Sequence, residues 1–254
     1  MERSSSKWEL RKRLVHLVIG LLSFPGLVWF NRMQIKGMDV LSKLPRQRVL
    51  FVSNHQTYFS EVITFLHIFS AVKWRYRKRL GLPFYLIAPF LNVNYVAAAE
   101  TMKKNFLSRL FLLAGGITVK RAWRAEGAEK IHGLDASDSR KIHRALEQNW
   151  VINFPQGTTT PFVPGRKGTA RIMKQVQPIV IPVVIEGFSK AFNKTGLKMK
   201  RWGTRLTVTF KEPLQYNPDS SQEELMQLVM DAIEQSPRFH PKHKPGSIFH
   251  EQGA

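Results

Sequence analysis

His55 and Glu61 are the residues of this chain whose types and spacing best suit chemistry. A carboxylate that accepts the proton on one imidazole nitrogen leaves the other nitrogen free to act as a base. On a continuous helix, six residues would turn Glu61 about 120° away from His55, so the pair requires an intervening turn. The alternative is a hydrogen-bonded histidine at the rim of the fold, with Glu61 a favourable charge in a helix's first turn.

The flanking residues place His55 at a strand-to-helix turn. Residues 48–52 are mainly β-branched and aromatic, which predicts a buried strand, and residues 62–69 are apolar, which predicts a helix. Such turns lie at the rim of an α/β sheet, where a rigid scaffold can hold a side chain towards a ligand.

Further strands and helices follow along the chain. Strands are predicted at 33–37, 117–119, 150–154, 178–185 and 206–210, and helices at 101–114, 138–148, 166–175 and 221–234. Ser221 and Glu224 form a capping box for the last helix. Pro182 inside a β-branched run indicates a bulge or an edge at that point.

Composition limits the chemistry. With 254 residues and 43% hydrophobic content, the chain can bury one α/β domain. It contains no cysteine, which excludes disulfides, thiolate nucleophiles and Cys-based zinc sites and fits a reducing compartment.

The charge is strongly positive: 39 Lys and Arg against 18 Asp and Glu give a formal net charge of +21. Such a field implies a polyanionic partner, which is nucleic acid, an anionic membrane surface or a phosphorylated substrate. Residues 73–79 interleave aromatic and cationic side chains, a pattern that suits lipid headgroups and also single-stranded nucleic acid.

The first 31 residues have the character of a membrane segment. Leu14 to Phe30 is almost continuously apolar, but as a helix it would reach only about 25 Å, and Pro25-Gly26 interrupts it. We expect an uncleaved, membrane-embedded or interfacial pair of short helices joined at Pro25. The alternative is a buried helix of a soluble domain. The main domain is predicted over residues 32–236, followed by a loose basic tail over residues 237–254.

Four short blocks at predicted strand ends, taken together, resemble the glycerolipid acyltransferases, the family that includes bacterial 1-acylglycerol-3-phosphate acyltransferase. The resemblance covers about residues 35–215. The blocks are Asn54-His55 with Glu61, residues 116–121, Phe154-Pro155-Gln156-Gly157-Thr158, and Ile181-Pro182-Val183. It implies a central mixed, largely parallel β-sheet flanked by helices, with membrane-associated helices at the N-terminus.

The resemblance also implies roles for residues. His55 is the general base that takes the acceptor's proton, and Glu61 orients the imidazole. Arg121, with Lys120 beside it, matches the family's phosphate-binding position, and bidentate hydrogen bonding suits arginine to that task. Backbone N–H groups at Gly157 and Thr158 would stabilise the oxyanion. Asn54, Gln156 and Pro182 complete the expected substrate contacts, and no metal or cofactor is expected.

Three positions depart from the family's pattern. Ser60 stands where the family has aspartate, so the acid arrives one residue later, as Glu61. Gln156 and Thr159 replace the third block's glutamate and arginine. Arg166 or Lys167 is expected to take over the missing cation's role.

The expected activity is transfer of an acyl group from acyl carrier protein or coenzyme A to a lysophospholipid, at the cytoplasmic face of the bacterial inner membrane. Acylation of a phosphate-free, amino-acid-based lysolipid stays open because the third-block arginine is missing. A non-catalytic lipid-binding relative and a basic nucleic-acid-binding protein are the other hypotheses. The latter does not account for the apolar segment at Leu14 to Phe30.

Overall fold

A seven-stranded sheet forms the centre of the protein in a computed structural model that describes residues 2–102, 106–119 and 136–241. Its strand order is β1-β7-β6-β2-β5-β3-β4. The strands are β1 Arg32–Lys36, β2 Val49–Ser53, β3 Val93–Ala98, β4 Gly116–Val119, β5 Trp150–Asn153, β6 Ile179–Glu186 and β7 Arg205–Phe210.

The pairing confirms the mixed, largely parallel sheet. Among the pairs of the described strands, β6 with β7 is antiparallel and the others are parallel. The central strands β2 and β5 are buried along their whole length. Helices cover both faces of these strands, which explains why their sequences are almost continuously apolar.

Helices form a layer on each face of the sheet. The described helices are α1 Glu2–Phe24, α2 Met38–Ser42, α3 Ser60–Lys73, α4 Ala99–Met102, α5 Phe106–Leu113, α6 Ala136–Gln148, α7 Gly168–Val176, α8 Phe188–Ala191 and α9 Gln222–Ala232. The core on one face includes residues of α1, α2, α3 and α5, and the core on the other includes α6, α7 and α9. The capping box at the start of α9 is confirmed by both of its hydrogen bonds.

The N-terminal segment differs from the expected pair of short helices. It forms one long helix, α1, that continues into a π-helical turn over Pro25–Trp29. Proline has no N–H to donate to the preceding turn, and the chain adapts by widening that turn. Lys7–Trp29 is long and apolar enough to cross a membrane, although 39% of its apolar window is buried inside the protein.

Apolar side chains lie on two opposite faces of α1. One face packs into the core through Val15, Ile19 and Phe24. The opposite face leaves large apolar side chains exposed, namely Leu10, Leu14, Val18, Leu21 and Leu22. The segment therefore combines features of both hypotheses, a core helix on one side and an apolar surface on the other.

Two further details were not expected from the sequence. Strand β3 lies in a stretch that carried no strand prediction. Pro182 lies inside the sheet, since β6 runs between β2 and β7. The antiparallel ladder with β7 begins at the next residue, Val183, so the missing N–H of Pro182 falls at the margin of that ladder.

Candidate active site

The turn after β2 is fixed by Asn54. The Asn54 side-chain amide donates to the Ile185 carbonyl at 2.8 Å and accepts from the Ile185 N–H at 2.7 Å. These two bonds join the ends of β2 and β6, and they use the Asn54 side chain within the protein. Asn54 therefore holds the backbone from which the next residue, His55, projects.

His55 lies between an aromatic ring and a carboxylate. Its imidazole stacks on Phe154 at the end of β5, with ring centroids 4.0 Å apart and an angle of 24° between the planes. Its Nδ1 lies 3.9 Å from Glu61 Oε2, and its side chain is 14% exposed. The ring is thus held in place while one part of it remains accessible to a substrate.

Glu61 is fully buried in the first turn of α3. Its Oε1 accepts from the N–H groups of Gln56 and Thr57, at 2.7 and 2.5 Å, and its Oε2 accepts from Thr57 Oγ1 at 2.6 Å. Burial raises the pKa of Glu61 to about 7, although these hydrogen bonds oppose the shift. The carboxylate is therefore oriented on both oxygens before any substrate arrives.

The turn between His55 and Glu61 explains how an acid six residues away can serve. Residues 56–59 make a compact turn, and α3 begins at Ser60. Ser60 stands at the position where the glycerolipid acyltransferases have aspartate. Its hydroxyl oxygen forms a hydrogen bond with the Thr57 hydroxyl oxygen, 2.5 Å away. The longer glutamate side chain then reaches back under the turn towards the imidazole.

The loop after β5 brings Gly157 against Arg166. Gly157 has φ +63°, and a Cβ added there would lie 2.8 Å from Arg166 Nε. Arg166 Nε donates to the Gln156 carbonyl at 3.3 Å, and the Arg166 N–H donates to the Pro155 carbonyl at 2.9 Å. A guanidinium therefore lies beside the loop where the third block lacks its arginine.

The same loop narrows the choice of oxyanion donors. The Gly157 N–H already donates to the Phe154 carbonyl at 2.9 Å, which closes the turn. Of the two predicted donors, the Thr158 N–H is therefore the better candidate. The Thr158 hydroxyl bonds within the loop, to the hydroxyl and the N–H of Thr160.

The side chains of three other predicted substrate contacts are bonded to or enclosed by the protein itself. The Gln156 side chain is buried and donates to the Val163 carbonyl at 3.1 Å and to Gln235 at 3.3 Å. Lys167 forms an exposed ion pair with Glu223 of α9. Pro182 is buried within β6. Lys120 and Arg121 follow β4 in the sequence and lie outside the described residues.

Two residues near the centre had no predicted site role. Phe154 packs on His55, and Thr57 bonds to Glu61. For Thr57 the sequence held a signal: its hydroxyl lies between His55 and Glu61 in the sequence, where it could donate to the carboxylate. Phe154 offered none beyond its place at the end of a strand, because stacking depends on β2 and β5 being neighbours. No cluster of three or more potential metal ligands occurs within the described part of the chain.

Comparisons with known proteins agree with this architecture. The sequence matches the family model described as Acyltransferase over residues 32–186. A search of curated proteins gave no match. The fold is similar to the crystal structure of the 1-acyl-sn-glycerophosphate (LPA) acyltransferase PlsC from Thermotoga maritima, with a TM-score of 0.54 and 16% sequence identity. The aligned region covers 88% of this chain and 78% of that one, and at this identity the likeness shows the fold.

Proposed function

The chain belongs to the acyltransferase family, and from this premise we propose that it transfers a fatty acyl group from a thioester to a lysophospholipid hydroxyl. The preferred acceptor is 1-acylglycerol-3-phosphate, which would give phosphatidic acid. The observation that carries the proposal is the imidazole of His55, stacked on Phe154 and backed by the buried carboxylate of Glu61. The thioester supplies the driving force, with acyl carrier protein or coenzyme A as the leaving thiol.

Each group at the site has a step in this reaction. With Nδ1 directed towards Glu61, His55 Nε2 takes the proton of the acceptor hydroxyl as its oxygen attacks the thioester carbonyl carbon. The Thr158 N–H donates to the oxyanion of the tetrahedral intermediate. Collapse breaks the carbon–sulfur bond, and the departing thiolate takes the proton from His55. The charge on Glu61 stabilises the imidazolium between these two transfers.

Arg166 is the proposed partner of the acceptor's phosphate, together with Arg121 of the second block. The Arg166 guanidinium lies at the Gly157 loop, and its residue is exposed. In this proposal it takes over the role of the third-block arginine, which is Thr159 in this sequence. Arginine suits a phosphate because its planar donors can bond two oxygens at once.

We expect Arg166→Ala to raise the KM for 1-acylglycerol-3-phosphate by about 10- to 100-fold, because the acceptor's phosphate would lose one hydrogen bond to a charged group. Steady-state kinetics with this acceptor and with a phosphate-free lysolipid measure the effect. Lys167→Ala is the matched control. It also removes one cation, but the charge of Lys167 is already paired with Glu223. An equal rise in KM for both acceptors would show that Arg166 supports the loop rather than the phosphate.

A phosphate-free acceptor is the second candidate, and the observation that favours it is Thr159 in place of the third-block arginine. The deciding experiment offers both acceptors to detergent-purified protein, each with acyl carrier protein and coenzyme A thioesters. Preference for the phosphate-bearing acceptor supports the first proposal. Preference for the phosphate-free acceptor supports the second, and no turnover with any pair by a folded protein would favour a non-catalytic lipid-binding relative.

Membrane association is part of the proposal. The exposed side of α1 presents Leu14, Leu21 and Leu22 to solvent, and an apolar surface of this kind suits the boundary between headgroups and acyl chains. Orientation towards the cytoplasmic face follows from the thioester donors, which the cytoplasm supplies.

A further inference from the structure

The loop between β6 and β7, residues 187–204, carries one sign of charge. No acid occurs between Glu186 and Glu212. The cations of the loop and of the first residue of β7 are all exposed, namely Lys190, Lys194, Lys198, Lys200, Arg201 and Arg205. Within the described structure none of them forms an ion pair. Six cations without compensating acids repel one another, and an anionic partner would reduce this repulsion.

The last residues of this loop, just before β7, contact the end of the N-terminal segment. Trp202 stacks on Phe30, with ring centroids 4.9 Å apart and planes 20° from parallel. The Gly203 N–H donates to the Phe30 carbonyl at 2.7 Å, and the Thr204 N–H donates to Asn31 Oδ1 at 3.0 Å. These contacts hold the end of the loop against the end of the segment.

This aromatic stack faces solvent rather than the core. Trp202 is 67% exposed, and Trp29 beside Phe30 is 66% exposed. Aromatic rings of this kind concentrate at the level of lipid headgroups, where the ring is half in apolar and half in polar surroundings. Cations next to them match the phosphates found at the same depth.

The loop also touches the turn that holds the candidate catalytic pair. The N–H groups of Tyr58 and Phe59 donate to the carbonyls of Lys194 and Thr195, each at 3.0 Å. A Cβ added to Gly196 would lie 2.5 Å from Thr57 Oγ1. Strands β2 and β6 are parallel, so the loop that follows β6 lies at the same end of the sheet as His55, which follows β2. Strand β7 then returns antiparallel to β6.

We propose that the β6–β7 loop is a second membrane contact, which binds an anionic phospholipid surface through Lys198, Arg201 and Trp202. The occupant follows from the unbalanced positive charge and from the contact of Trp202 with Phe30, in the segment whose helix α1 carries exposed apolar side chains. The inference rests on the proposed membrane association and adds to it a requirement for anionic lipid. It also places the lipid surface next to the turn from which His55 projects, so that a lysolipid in the membrane would be near the site.

The test measures binding of the purified full-length protein to vesicles, without donor or acceptor. One set of vesicles is phosphatidylcholine, and the other also contains phosphatidylglycerol. At about 1 kcal/mol for each cation near an anionic surface, K198Q/R201Q is expected to lower the partition coefficient onto the anionic vesicles about 30-fold. Binding to phosphatidylcholine should be unchanged. Trp202→Ala should weaken binding to both kinds of vesicle, because the ring inserts whatever the headgroup charge.

The matched control is R140Q/R144Q, which removes two exposed arginines from α6 in the opposite helical layer. It should bind both vesicle types as the unmodified protein does. If K198Q/R201Q binds anionic vesicles normally, the proposal is wrong. A rise in the KM for acyl carrier protein in that same variant would then assign the loop to the donor. The vesicle-binding result does not depend on whether the proposed reaction occurs, because vesicle binding needs no turnover.

Discussion

His55→Ala is expected to lower kcat/KM for acyl transfer by about 10²- to 10⁴-fold, the usual contribution of a general base. Without the imidazole, the acceptor hydroxyl must lose its proton to water as it attacks the thioester, and no group passes a proton on to the leaving thiolate. Release of free thiol from the acyl donor, followed with time, measures the rate directly.

His143→Ala provides the matched control for His55→Ala. His143 also lies beside a glutamate, with Nε2 3.6 Å from Glu147 Oε1, but this pair is exposed on α6. Its loss should leave the rate unchanged. Alanine at position 55 removes one ring stacked on Phe154, so a stability loss of about 1 kcal/mol is expected and folding should persist. Turnover at the ordinary rate in the folded His55→Ala protein would remove His55 from the mechanism.

Glu61→Gln is expected to lower the rate by roughly 10²-fold, because a neutral amide can hold the turn but cannot stabilise an imidazolium. The amide oxygen can still accept from the N–H groups of Gln56 and Thr57, and the amide nitrogen can donate to Thr57 Oγ1. The geometry of the turn should therefore survive. Steady-state rates, beside the free energy of unfolding in urea, separate these two effects.

The stability of Glu61→Gln has an expected sign. The pKa of Glu61 in the folded protein is about 7, above its ordinary value of 4.5, because burial favours the neutral acid. Between these two pH values the folded state holds a proton that the unfolded state releases, so stability falls as pH rises from 4.5 to 7. Above pH 7 the charged form carries a burial cost that glutamine lacks. At pH 8 the variant should therefore be no less stable than the unmodified protein.

The same titration predicts the pH dependence of activity. As pH falls through about 7, Glu61 takes up a proton and loses the charge that stabilises the imidazolium, so kcat/KM should decline. If Glu61→Gln lost stability and activity together, the carboxylate would be a structural group rather than an orienting one.

The sequence predicted much of this protein because many of its signals are local. The apolar run of β2, the turn at His55 and the capping box at Ser221 each depend on residues within a few positions of one another. The order of the four blocks then indicated the family and the mixed sheet, and both are confirmed. The roles assigned to the individual site residues remain predictions.

The tertiary structure decided which residues meet. Phe154 stacks on His55 because β5 and β2 pair in the sheet, and Arg166 reaches Gly157 because the loop after β5 folds back on itself. Trp202 meets Phe30 because β7 pairs with β1. Propensity and periodicity act over a few residues, whereas these contacts depend on strand order and register. The sequence therefore determined most of the elements and the turn at His55, and the packing of the sheet determined what surrounds that turn.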